Sequence, residues 1–217
     1  GDVYKRQTPP YSQYALEKID WIYSAKTNFP MSKVAICGSI EDNGLYPNSR
    51  VNTWNDRLIQ VFQDATYNPS FIYPDAITLH SYVFPTATDF ANINTWIQAA
   101  VESESTNILT TIDDFKTQWN LMSNLEFWVT EFGVTDNYDG ISGSWGHGLY
   151  LISILFKMLE IDDITMIINN SLSSGRDYGM LFDRKYIFGA PNTADKFDLS
   201  AGGLVLGMFN RSLNDSV

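Results

Sequence analysis

The sequence predicts an α/β fold built on short parallel strands, and three observations predict it. Stretches of helical periodicity alternate with short apolar runs in the order α, β, α, β, α, β, α, β, α, which implies parallel strands joined by helical crossovers. The runs KVAICGS (33–39), DAITLHSY (75–82), LEFWVTEFG (125–133) and DITMIINNS (163–171) are short and apolar, as strands covered on both faces are. No run is followed by G-x-G-x-x-G or by a G-K-[ST] loop, which removes the commonest function of an open doubly wound sheet. Part of a (β/α)8 barrel is the competing architecture.

The elements follow in order. Residues 12–28 carry Leu16, Ile19, Ile22 and Tyr23 at helical spacing, with Ser12 as a candidate cap and Pro30 beyond the end. After the first strand, residues 50–66 place Trp54, Leu58, Val61 and Phe62 on one helical face. After the second, residues 88–101 and 106–122 read as two helical pieces joined by a polar loop. The third strand is followed by GISGSWGHG, a flexible loop opening a very apolar helix over 144–160. After the fourth come a small hairpin over 178–189 and a closing helix over 193–212.

Composition sets bounds. The chain has 217 residues, enough for one sizeable core, and its 44% hydrophobic content marks it as globular. Aromatics are 14%; they serve as core filler and also as stacking faces for sugars. A formal charge of −11 argues against nucleic acid and anionic membrane surfaces, whose affinity rests on Lys and Arg. No apolar run reaches membrane-spanning length. The single cysteine, Cys37, has no internal disulfide partner and reads as a buried, inert thiol. The opening GDVYKRQ, residues 1–7, resembles a translated sequencing-adapter scar, so the fold is sought in 8–217 and the natural beginning is expected upstream. No signal peptide is present in this stretch.

In barrel enzymes the working residues sit at the C-terminal ends of strands. Here those ends are Gly38–Ser39, His80–Tyr82, Glu131 and Asn169–Ser171. Along AITLHSY, Ile77 and Leu79 point one way and Thr78, His80 and Tyr82 the other. A fully structural parallel strand would be apolar on both faces. Alone, His80 reads as a satisfied core histidine; beside Tyr82 at a strand end, it reads as part of a site. Glu131 follows the apolar FWVT, shares a face with Val129, and precedes Gly133, which would let the chain turn closely. Alone, it reads equally well as a rim carboxylate paired with a lysine.

ITLHSY followed about fifty residues later by WVTEFG resembles the sixth and seventh strands of the retaining (β/α)8-barrel glycoside hydrolases, the large cellulase- and xylanase-like clan. A more general likeness is to agarase- or porphyranase-like enzymes. The resemblance covers 8–217 and implies a partial TIM barrel, strands five to eight with their helices, the C-terminal half of a catalytic barrel. It implies that Glu131 is the nucleophile and that His80 and Tyr82 orient it and touch the sugar. The clan's acid/base glutamate closes strand four, usually after an asparagine. Nothing before Tyr11 supplies it, so it is expected upstream. Where many relatives carry a tryptophan on strand eight, this chain has Asn169 and Asn170.

The chemistry accounts for these residue types. Retaining hydrolysis needs two carboxyl groups about 5–5.5 Å apart, one nucleophile and one acid then base. The nucleophile stays ionised when hydrogen-bond donors surround it, and a phenol and an imidazole N–H supply them. The substrate-binding candidates are therefore His80, Tyr82, Asn169, Asn170 and Trp145, although Trp145 at the start of an apolar helix also reads as core. Asp136 and Tyr138 read as a solvated loop, and His147 as a helix-surface or supporting residue. No cofactor is expected, and a metal site is disfavoured by two scattered histidines without H-E-x-x-H or paired cysteines. No G-x-S-x-G elbow marks a serine hydrolase.

The sequence thus points to a retaining glycoside hydrolase acting on a β-linked poly- or oligosaccharide, with carbohydrate as its partner and an extracellular or periplasmic location. Two alternatives stand beside it: a non-catalytic carbohydrate-binding barrel relative, and a barrel enzyme using Glu131 and His80 as acid and base in another reaction.

Overall fold

The computed structural model describes residues 11–40, 51–85, 89, 91–119, 124–134, 141, 144–170, 173–174, 181–183 and 197–214. Residues 1–7, Asp136, Tyr138 and Ser171 lie outside the described residues. The elements are α1 (Tyr11–Asn28), β1 (Ala35–Cys37), α2 (Val51–Gln63), β2 (Ala76–Val83), α3 (Ile93–Gln118), β3 (Glu126–Val134), α4 (Trp145–Leu159), β4 (Ile164–Ile167), β5 (Ser173–Ser174), β6 (Leu181–Asp183), β7 (Phe197–Leu199) and α5 (Ala201–Asn214). The fold is α/β. Strands β1 to β4 form a parallel sheet in chain order, alternating with helices as in part of a (β/α)8 barrel. Ala35–Cys37 lie opposite Ala76–Thr78. The Glu126 amide donates to the Asp75 carbonyl and the Ile168 amide to the Val129 carbonyl. A second sheet, β5-β6-β7, is mixed.

The chain divides into two compact units. The first comprises Gly1–Leu79 and Asn107–Trp128. Its helix α1 buries Ala15, Ile19 and Ile22, a run at i, i+4 and i+7, and ends before Pro30 with Lys26 in its last turn. Helix α2 buries Leu58, Val61 and Phe62. An aromatic cluster fills the interior: Trp119 stacks on Phe115 at 5.9 Å between centroids and meets Phe62 edge-on at 5.5 Å. At the entry to β2, Asp75 accepts from Lys26 Nζ and from the Val34 amide, both at 2.8 Å, tying helix and strands together at the sheet's N-terminal end.

The second unit comprises His80–Thr106 and Val129–Val217. Helix α4 is capped by Ser144, extended at φ −79°, whose Oγ accepts from the His147 amide. Its buried face runs through Tyr150, Leu151, Ile154 and Met158. Gly148 lies against the backbone of Ala201, where an added Cβ would sit 3.0 Å from the carbonyl oxygen, so glycine lets α4 and α5 approach closely.

Several expectations are corrected. Residues 93–118 form one unbroken helix, so the supposed polar loop between two pieces is helical. The closing helix begins at Ala201, and residues 197–199 form β7 before it. Strand β6 pairs with β5 and β7, and the rest of the expected 178–189 hairpin lies outside the described residues. Helix α1 already includes Tyr11, which puts Ser12 inside it. Cys37 is half-buried. Strand β3 continues through Gly133 to Val134, so no turn occurs there; a Cβ at Gly133 would make only ordinary contact with Tyr82, at 3.7 Å.

Candidate active site

The expected alternation along β2 is present. Ile77, Leu79 and Ser81 are buried, whereas Thr78, His80 and Tyr82 are half-buried. On β3, Val129 is fully buried, and Glu131, two residues on, is half-buried. Glu131 is followed by three further strand residues and does not end the strand as the sequence suggested.

These side chains meet at one carboxylate oxygen. The Tyr82 hydroxyl donates to Glu131 Oε2 at 2.9 Å. His80 Nδ1 lies 3.4 Å from the same oxygen, with the two side chains 29% and 33% exposed. Burial pushes the imidazole below its ordinary pKa of 6.5, and the negative charge of Glu131 opposes this in part. Near neutral pH the ring is therefore uncharged, and a proton on Nδ1 would aim an N–H at the carboxylate. Asn170 Nδ2 donates to Tyr82 Oη at 2.9 Å. Amide, phenol and carboxylate thus form a directed relay, each donor polarised by the next bond. Asn169 donates from Nδ2 to the Phe132 carbonyl at 3.0 Å, tying the end of β4 to β3, while its buried Oδ1 has no hydrogen-bond partner among the described residues.

His80, Tyr82, Glu131 and Asn170 are brought together. Asn169 braces the strand beside them. Trp145 is not core: it begins α4 with 63% exposure. His147 is not on the surface: it is buried, on the inward face of the same helix. Ser39, at the end of β1 in the first unit, bonds through its backbone to both ends of the Asn55 amide.

Sequence reasoning missed a buried pair behind the site. Ser81, between His80 and Tyr82, donates to Glu104 Oε1 on α3 at 2.7 Å, and both residues are buried. The signal was a serine in the apolar register of β2. Among the described residues, no group of three or more His, Cys, Asp or Glu could hold a metal ion, and no helix is long and apolar enough to cross a membrane.

No protein-family model and no curated protein matches the sequence. Solved structures do match. A family 51 α-L-arabinofuranosidase from Bifidobacterium longum aligns with a TM-score of 0.58 at 13% identity, covering 82% of this chain and 38% of that one. An α-L-arabinofuranosidase from Thermotoga maritima aligns at 0.55 and 14% identity, covering 91% of this chain and 35% of that one. A thermostable family 51 enzyme of the same activity from Thermotoga petrophila aligns at 0.54 and 14% identity, with the same coverage. The chain therefore spans a little over a third of the length of these structures. At such identity the likeness shows a shared fold alone: the parallel sheet and helices of this chain have the arrangement of part of a (β/α)8 barrel.

Proposed function

We propose that the protein is a retaining glycoside hydrolase acting on a β-linked poly- or oligosaccharide, and that this chain supplies strands five to eight of its barrel. The observation that carries the reading is the convergence of Tyr82 Oη and His80 Nδ1 on Glu131 Oε2. Both contacts fall on one oxygen, and in this reading Oε1 is the one that reacts. Glu131 Oε1 attacks the anomeric carbon, and the bond from that carbon to the leaving oxygen breaks. An acid carboxyl protonates the leaving oxygen. Water, deprotonated by the same carboxyl, then attacks the anomeric carbon and releases Glu131 with net retention. In this reading the second carboxyl comes from a barrel strand beyond the four described.

The fold neighbours are α-L-arabinofuranosidases, and α-L-arabinofuranosides share a 1,2-trans arrangement with the β-D-glucosides of the proposed substrate class, so one nucleophile placement serves both and both are tested. Trp145, exposed where the β3–α4 connection enters its helix, is a stacking face for a sugar, and degradation of galactans such as agarose or porphyran, outside the cell or in the periplasm, fits the same chemistry.

The test uses the protein at its full natural length with activated 2-fluoro glycosides from these classes. Their leaving groups need little protonation, and the fluorine slows the second displacement. A one-to-one mass increase on the peptide containing Glu131 is expected. Label on another carboxylate, or turnover without any covalent label, would overturn the assignment. Glycan binding with neither label nor turnover would identify a carbohydrate-binding relative.

A further inference from the structure

We propose that Glu104 is a positioning residue, which anchors Ser81 and through it holds His80 and Tyr82 against Glu131. The inference rests on the reading of Glu131 as the working carboxylate. Ser81 lies between the two site residues in sequence but faces the other side of β2. It is fully buried, and its hydroxyl donates to Glu104 Oε1 at 2.7 Å, a well-formed O–H···O bond. This bond fixes the peptide units on both sides of Ser81. A slip or twist of β2 there would carry the imidazole and the phenol together off the carboxylate, and such sites tolerate only about 0.5 Å of displacement.

A carboxylate is a costly choice for this place. Glu104 is 4% exposed, and acidic side chains are almost never buried so fully without a partner. The charge is felt nearby: burial, and then the charge of Glu104, raise the Tyr150 hydroxyl well above its ordinary pKa of 10.0, with a Ser81 hydrogen bond opposing them in part. Hydrophobic packing alone would be filled more cheaply by leucine or methionine. What the carboxylate adds is a directional link from helix α3 to the strand that carries the site. Glutamine has the same reach and also accepts from Ser81, whereas Ser81→Ala deletes the link with the loss of one oxygen.

In the protein at its full natural length, histidine-selective 15N labelling resolves the ring spin systems, and that of His80 is identified by its loss in His80→Gln. The pKa and tautomer of His80 are read in the wild type, Ser81→Ala and Glu104→Gln. Release of the strand should let the ring solvate. In Ser81→Ala the His80 pKa should rise toward 6.5, because relief of burial, the larger cause, outweighs the weakened pull of Glu131, and the ring should no longer hold one tautomer. Glu104→Gln should keep the wild-type values. A folded Ser81→Ala with unchanged His80 titration would overturn the proposal. An equal shift in Glu104→Gln would also overturn it, because the charge and not the bond would then be acting. An unfolded Ser81→Ala would make the pair a plain stability element and refute it as well. These readings need no turnover, so they are distinguishable from failure of glycosyl labelling at Glu131.

Discussion

Replacing Tyr82 with phenylalanine removes one oxygen and two hydrogen bonds. The first is donated to Glu131 Oε2 at 2.9 Å; the second is received from Asn170 Nδ2 at 2.9 Å. A bond to a charged acceptor contributes about 1.5–3 kcal/mol. If that bond steadies the carboxylate that attacks, its loss appears in the barrier, and 1.36 kcal/mol is tenfold in rate. Tyr82→Phe should therefore lower kcat/KM by about 10- to 150-fold while the ring still packs over Gly133. Asn170→Ala removes only a neutral bond to the phenol, about 0.5–1.5 kcal/mol, and should cost about 2- to 12-fold. Because Asn170 acts through Tyr82, the double variant should be about as slow as Tyr82→Phe alone, a departure from additivity expected of residues in one network. The assay is steady-state hydrolysis of an activated aryl glycoside at the protein's full natural length. Wild-type kcat/KM in a folded Tyr82→Phe protein would refute the reasoning. So would an Asn170→Ala cost that adds in full on the phenylalanine background.

Other predictions concern stability. His80 has a depressed pKa in the fold, so the unfolded chain binds more protons just below pH 6.5; stability should fall as pH drops through that window, and His80→Gln should flatten this part of the profile in denaturant titrations. Asn68, fully buried, donates from Nδ2 to the Phe62 and Ile72 carbonyls and accepts at Oδ1 from the Ile72 amide. At about 1 kcal/mol per bond, Asn68→Ala should destabilise by about 3 kcal/mol and lower Tm by about 6–12 °C in a thermal melt. Gly38 leaves no room for a Cβ, which would stand 2.5 Å from Ile77 Cγ2 and 3.2 Å from Leu79 Cδ2; Gly38→Ala should cost about 1–3 kcal/mol by denaturant unfolding.

What was legible in the sequence had a strict period. The two-residue alternation of β2 placed His80 and Tyr82 on one face without any knowledge of their partners, and Val129 fixed the side on which Glu131 would lie. The misread segments each had polar residues where apolar ones were sought. In α3 the run VESESTN looked like a loop because Glu104 and Ser105 occupy buried positions between Val101 and Ile108. That acid is bonded by Ser81, which is far away in sequence, so no local pattern reveals it. Strand β7 is three residues long and ends beside Ser200, whose Oγ accepts from the Gly203 amide and starts α5. A short strand next to a helix cap was absorbed into the helix. Trp145 and His147 exchanged their expected environments because the helix begins directly after Ser144, which turns its first residue outward and its third inward.

The central claim is that Glu131 is a nucleophile, and chemical rescue of Glu131→Ala tests it most directly. The variant should fold normally, since the side chain is half-exposed, and should be inactive at the protein's full natural length. Azide, added with an activated aryl glycoside, should enter the space vacated by the carboxylate and restore turnover. With one displacement in place of two, the product should be a glycosyl azide of inverted anomeric configuration, identifiable by NMR. Near-normal activity of Glu131→Ala without azide would contradict the account and return Glu131 to the role of a rim carboxylate. A rescued product of retained configuration would contradict it equally, because the displaced group would then lie on the other face of the sugar.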